Sequence, residues 1–151
     1  MPTSYEKLQE LGNCHLAMAE LSKAKWCFSR AAVLAPDRAE PLVGLANVSF
    51  QLGRHEEAYR QFLHALELDS RCAGACAGLA MIYQERMDCR QAFDMYLRAL
   101  DIEPDNRLAL LGLFQMSRRM GTFKQIIHYL EVYRQGHPND SAVLFCLAAL
   151  A

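Results

Sequence analysis

Proline and glycine are scarce, at 5 and 8 of 151 residues, too few for a collagenous or loop-dominated chain. Charge of one sign is missing as well. Sixteen Lys and Arg stand against 17 Asp and Glu, and a net charge of −1 exerts no long-range pull towards nucleic acid or anionic lipid. No segment alternates apolar and polar residues with period two, so no strand is expected. The opening residues, Met1-Pro-Thr-Ser-Tyr-Glu-Lys, lack a basic stretch followed by an apolar one, which reads against a secretory signal. Cys14, Cys27, Cys72, Cys76, Cys89 and Cys146 are scattered and read as reduced thiols of an intracellular, cytoplasmic protein. What is plentiful is apolar surface: 52% of residues are hydrophobic, enough for a packed core and far too many for a disordered tail.

Reactive groupings are absent in the same way. Cys72 and Cys76 lie one helical turn apart, but a closed zinc site takes four ligands and no second pair completes it. The run His55-Glu-Glu-Ala-Tyr59 ends in tyrosine where a zinc protease would need its second histidine. His64, His128 and His137 share no partner by spacing, and no clustered glycine loop cradles a phosphate. The reading is a protein without catalytic residues, metal or cofactor. Arg118, Arg119 and Lys124 form the single basic knot, too small to predict nucleic-acid binding.

The chain repeats itself every 34 residues. Residues 39–72 align with 73–106, and the same register places further units at 5–38 and 107–140 with a remnant at 141–151. The fourth place of each unit holds Leu8, Leu42, Cys76 and Leu110, and the seventh Leu11, Leu45, Leu79 and Leu113. The eighth holds Gly12, Ala46, Ala80 and Phe114; the twentieth Ala24, Ala58, Ala92 and Ile126. Phe28, Phe62, Tyr96 and Leu130 share the twenty-fourth, and Ala31, Ala65, Ala99 and Tyr133 the twenty-seventh. Three- and four-residue steps stack on one helical face, so each unit predicts two helices, A and B, with small residues where they approach. Gly53 and Gly121 suit the turn between them. Asp37, Asp69, Asp105 and Asp140 are candidate caps for the following helix. In the fourth unit Phe114, Ile126 and Tyr133 replace small residues, which should set its helices further apart or tilt them.

This pattern resembles the tetratricopeptide repeat family. The resemblance covers nearly the whole chain and implies an all-α fold: a single domain, 1–151, in which antiparallel helix pairs stack as a right-handed α-solenoid. It also implies a groove for an extended or helical peptide on the inner face, built mainly from A helices. The lining residues by offset are Gln9, Asn13, Val43, Gly44, Asn47, Phe50, Ala77, Gly78, Met81, Leu111, Gly112, Gln115 and Arg118. The family's clamp for a C-terminal carboxylate is missing, since only asparagines match its basic and amide positions. The expected function is therefore a non-enzymatic adaptor, scaffold or chaperone that binds an apolar peptide segment of a protein partner.

Gly44, Gly78 and Gly112 recur one repeat apart, although glycine within a helix costs about 1 kcal/mol relative to alanine. Two readings compete: close packing between neighbouring A helices, or a furrow cleared for the ligand. On the furrow reading Gly78→Arg blocks binding and leaves helicity intact. At the far end, residues 142–151 carry no charge, whereas the outer helix of a stack needs a polar face. Either the array continues as a segment of a larger protein, or this helix buries itself in self-association or under a partner subunit. Ten apolar residues are too few to insert across a membrane.

Overall fold

The computed structural model describes residues 4–150, and nine α-helices fill them: α1 (Tyr5–Ala17), α2 (Leu21–Leu34), α3 (Glu40–Gln51), α4 (His55–Leu68), α5 (Ala73–Glu85), α6 (Cys89–Ile102), α7 (Arg107–Met120), α8 (Lys124–Gly136) and α9 (Ser141–Leu150). No strand occurs among the described residues. The fold is all-α, and the odd-numbered helices are the A helices of the 34-residue phase, the even-numbered ones the B helices. Residues up to Gly78 form one compact unit and those from Leu79 a second.

The A-to-B turn is made the same way in every repeat. The fifteenth residue adopts the left-handed conformation, as Ala19 (φ 60°), Gly53 (79°), Met87 (63°) and Gly121 (71°). Only two of the four are glycine, so half of these turns carry the strain of a β-carbon at positive φ. Met87 is 73% exposed and contributes little packing. Met87→Gly should therefore raise stability by about 0.5–1 kcal/mol, relief of strain being partly offset by the freer unfolded chain. A shift of the urea midpoint to higher concentration checks this.

Caps differ in part from the expected aspartates. Asp140 does cap α9, its carboxylate accepting from the backbone N–H groups of Ala142 (3.1 Å) and Val143 (3.4 Å). At α7 the cap is Asn106, which accepts from Ala109 N at 3.0 Å, in place of Asp105. Asp69 accepts from Arg71 N and so closes the turn after α4. Ala39, at the start of α3, makes no side-chain cap, and Pro41 occupies the first turn, where a missing N–H costs little. Capping needs an acceptor at one position only, and a neighbour one residue away points elsewhere.

In the first unit the core centres on two rings. Phe28 is fully buried with Ala24 and Val48, and Leu16, Leu21 and Leu45 pack around them. Its ring lies between two glycines: a β-carbon on Gly12 of α1 would fall 2.6 Å from Phe28 Cε1, and one on Gly44 of α3 would come within 2.5 Å. Phe62 of α4 occupies the equivalent place against Gly78, where an added β-carbon would overlap the ring. The second unit repeats the joint with Tyr96 of α6 against Gly112 of α7. In the fourth repeat Leu130 stands in for the ring, and the glycine place, one repeat on, is Cys146. Both are buried. A smaller side chain at one offset thus goes with a larger one at the other, as conserved volume in a packed interior requires.

The backbones of α7 and α8 come close at fewer places than those of α1 with α2 or α3 with α4. Phe114, Ile126 and Tyr133 are all buried there, where their bulk leaves less room for close backbone approach. Tyr133 has a further reason to be large: its ring stacks on His137 at 4.1 Å, and its hydroxyl donates to Asp140 at 3.1 Å.

Candidate functional site: the exposed A-helix face

The thirteen lining residues divide by burial. In the first unit Asn13 is exposed, while Gln9, Val43, Asn47 and Phe50 are half-buried. Gln9 donates from Nε2 to the Glu40 carbonyl at 3.4 Å, and Phe50 stacks on His55 at 4.7 Å. In the second unit Gln115 and Arg118 are exposed, and Met81 and Leu111 half-buried. Gly44, Gly78, Gly112 and Ala77 do not line a surface. All four are buried, and the three glycines lie beneath the rings of Phe28, Phe62 and Tyr96. The furrow reading is thereby corrected. These glycines serve packing, and the packing joins the B helix of one repeat to the A helix of the next, where the alternative reading paired neighbouring A helices.

Two surface recesses sit on A helices. One, about 430 Å³ in volume, is lined by Gln115, Arg118 and Arg119 in the second unit. A chain of hydrogen bonds fixes its edge: the Tyr96 hydroxyl donates to Gln84 Oε1 at 2.9 Å, and Gln84 Nε2 donates to Gln115 Oε1 at 3.1 Å. Burial pushes the Tyr96 phenol up to about 12, so it remains a donor at any ordinary pH. The Arg118 guanidinium lies 6.0 Å over the Phe114 ring. Gln84, Tyr96 and Arg119 were not among the lining residues read from sequence. A signal for Gln84 existed: it stands 31 residues before Gln115, as Gln9 stands 31 before Glu40, and at this separation a glutamine side chain meets a residue of the next A helix.

The other recess, about 320 Å³, is lined by Lys7, Glu10, Leu11 and Cys14 of α1. These are the third, sixth, seventh and tenth places of the repeat. Their counterparts in α7, Ala109, Gly112, Leu113 and Met116, are all buried. The recess is thus the uncovered version of a face that is interior elsewhere. Helix α9 also presents apolar surface, with Leu144 42% and Phe145 72% exposed.

Electrostatics is strongest at Asp140. Its carboxylate accepts from Arg107 Nε at 2.8 Å and from the Tyr133 hydroxyl, and chiefly the arginine hydrogen bond holds its pKa down at about 2. A carboxylate depressed on folding stabilises the protein above its unfolded pKa, near 4, and loses that contribution as pH falls towards 2. Asp140→Asn should therefore flatten the acid limb of the stability profile between about pH 4 and 2. Urea midpoints across that range measure it, and an unchanged acid limb contradicts the assignment. No group of three or more metal-ligating side chains comes together among the described residues.

The tetratricopeptide repeat family model matches residues 39–72. Protein CTR9 homolog of Arabidopsis thaliana is 35% identical over 106 residues, covering 68% of this chain and 9% of that protein. The chain therefore spans about a tenth of the length of that curated relative. In three dimensions it resembles pilF of Pseudomonas aeruginosa, with a TM-score of 0.80 at 22% identity over 97% of this chain and 67% of that one. It also resembles the first TPR of Spaghetti (RPAP3) bound to the HSP90 peptide SRMEEVD, with a TM-score of 0.66 at 20% identity over 78% and 93% of the two chains. The family model on residues 39–72, together with the recurrence of its 34-residue helix pair along the described residues, places this chain in the tetratricopeptide repeat family.

Proposed function

We propose that the chain is a non-enzymatic adaptor whose exposed A-helix face binds a peptide segment of a partner protein. The observation that carries this reading is a contrast within α1 and within α7. The ring joints seal the glycine positions, while other positions of the same helices stay open: Asn13 in the first unit, and Leu108, Gln115 and Arg118 in the second. The residues left open mix apolar and amide groups, which suit a peptide backbone flanked by apolar side chains. A fold neighbour carrying a bound peptide supports the same reading.

Selection of displayed 16-residue peptides on the purified chain tests it. Peptides rich in apolar residues should be recovered. Leu108→Glu and Gln115→Glu, on exposed positions of α7, should weaken their binding about tenfold, the scale of a lost interface contact. Val33→Glu, at a 78% exposed site on α2, should leave binding unchanged. Failure to recover any binder, or equal loss in all three variants, refutes the proposal.

A further inference from the structure

From Arg107 onward the chain carries five basic residues, Arg107, Arg118, Arg119, Lys124 and Arg134, against two acids, Glu131 and Asp140. Both acids are taken. Glu131 pairs with Arg134 at 2.7 Å and Asp140 with Arg107 at 2.8 Å. Arg118 and Arg119 have no carboxylate partner among the described residues, and both line the 430 Å³ recess. Their place in the last turn of α7 suits the helix dipole, but the dipole requires neither two guanidinium groups nor a recess between them. The third lining residue is also a donor there. Because Gln115 Oε1 is engaged by Gln84, its amide nitrogen is the group left to donate. Two guanidiniums and an amide N–H, with no acid among the described lining residues, form a donor set complementary to a carboxylate.

The same helix face supplies an apolar approach to these donors. Leu108, Leu111, Gln115 and Arg118 follow one another at three- and four-residue steps and so lie along one stripe. Leu108 is 58% exposed and Leu111 half-buried. Seven to ten residues of helix separate the leucines from Arg118, a rise of about 10–15 Å, which an extended peptide covers in about three to five residues.

Resting on the peptide-binding reading above, we infer that the Gln115–Arg118–Arg119 recess binds an Asp or Glu side chain of the partner segment, placed three to five residues from an apolar anchor on Leu108 and Leu111. Apolar contact would supply most of the affinity, and the carboxylate would set the direction in which the segment lies. The partner class is thus an apolar–acidic protein segment rather than a purely apolar one.

The experiment selects 16-residue peptides from a library displayed within a loop, so that no free C-terminal carboxylate is present, on the wild-type chain and on the Arg118→Gln/Arg119→Gln variant. Wild-type binders should be enriched in Asp or Glu at a fixed spacing of three to five residues from an apolar position. Their affinity should fall about tenfold on the variant and on replacement of that acid by its amide, while Arg118→Glu/Arg119→Glu should select Lys or Arg at the same position. Both arginines are exposed, and an unchanged circular dichroism spectrum shows that the variants fold. Binders that lack acids, or that bind the Gln variant equally well, overturn this inference and leave peptide binding standing. Recovery of no binder overturns both. Tighter binding of a single-stranded 20-nucleotide DNA than of any peptide, lost in the Gln variant, would make the anion a phosphate and overturn the acidic-peptide assignment.

Discussion

Phe28→Ala is expected to lower the free energy of unfolding by about 3–5 kcal/mol, the upper range for deleting a buried ring. The size follows from what surrounds it. Phe28 is 0% exposed, and two of its contacts are with Gly12 and Gly44. Cavities cost least where neighbouring side chains can swing in to fill them. A glycine has no side chain to move, and its backbone belongs to a hydrogen-bonded helix, so the space left by the ring stays open on two sides. Urea unfolding followed by circular dichroism measures the loss. Phe28→Leu should recover part of it, as Leu130 serves at the same offset one hundred and two residues on. A loss below about 1 kcal/mol, the level of an ordinary surface site, would mean that this ring does not join the repeats.

Gly78→Ala sets two effects of opposite sign against each other. Helix propensity alone predicts a gain of about 1 kcal/mol. Steric overlap predicts a loss, because the new methyl group would occupy the space of the Phe62 ring, and Phe62 is 1% exposed, with no free direction in which to move. Overpacking of this kind costs about 1–3 kcal/mol, and a direct overlap with a ring lies at the upper end, so the expected net result is destabilisation by about 1–2 kcal/mol. Gly78→Arg should do far more and lower helicity outright, contrary to the furrow reading, under which helix content is unaffected. In a double-mutant cycle, Phe62→Ala together with Gly78→Ala should cost clearly less than the two changes summed, since the methyl group then enters the vacated volume. Strict additivity, or a stabilised Gly78→Ala, would show that the two residues do not meet.

The difference between those two readings of Gly78 marks where sequence reasoning stops. A period of 34 with apolar residues at set offsets was enough to place all nine helices, because helical phase is a local property written in every turn. It also placed Gly53 and Gly121 at left-handed turns, but passed over Ala19 and Met87, which share the conformation without being glycine. At Ala19 the packing of α1 on α2 imposes a backbone angle that the residue itself disfavours, and Met87 adopts the same angle two repeats on.

The site was legible in a similarly uneven way. Gln115 and Arg118 lie where the offsets put them, at an exposed recess. Gly44, Gly78, Gly112 and Ala77 share the same offset logic and are interior, because one helix face serves both the groove side and the ring joint, and only the neighbouring helix decides where the boundary falls. The chemistry of the recess was likewise hidden. That Arg107 and Arg134 are neutralised while Arg118 and Arg119 are not depends on which carboxylates come within 3 Å, and composition alone, at a net charge of −1, gives no hint of it. Sequence by itself determined the repeat and the helices, both of which are carried by local spacing. Which small residues accept a ring, and which charges remain unpaired, was decided by contacts between different helices, sixteen residues apart at the ring joints and thirty-three at Arg107 and Asp140, and those exist only once the helices have packed.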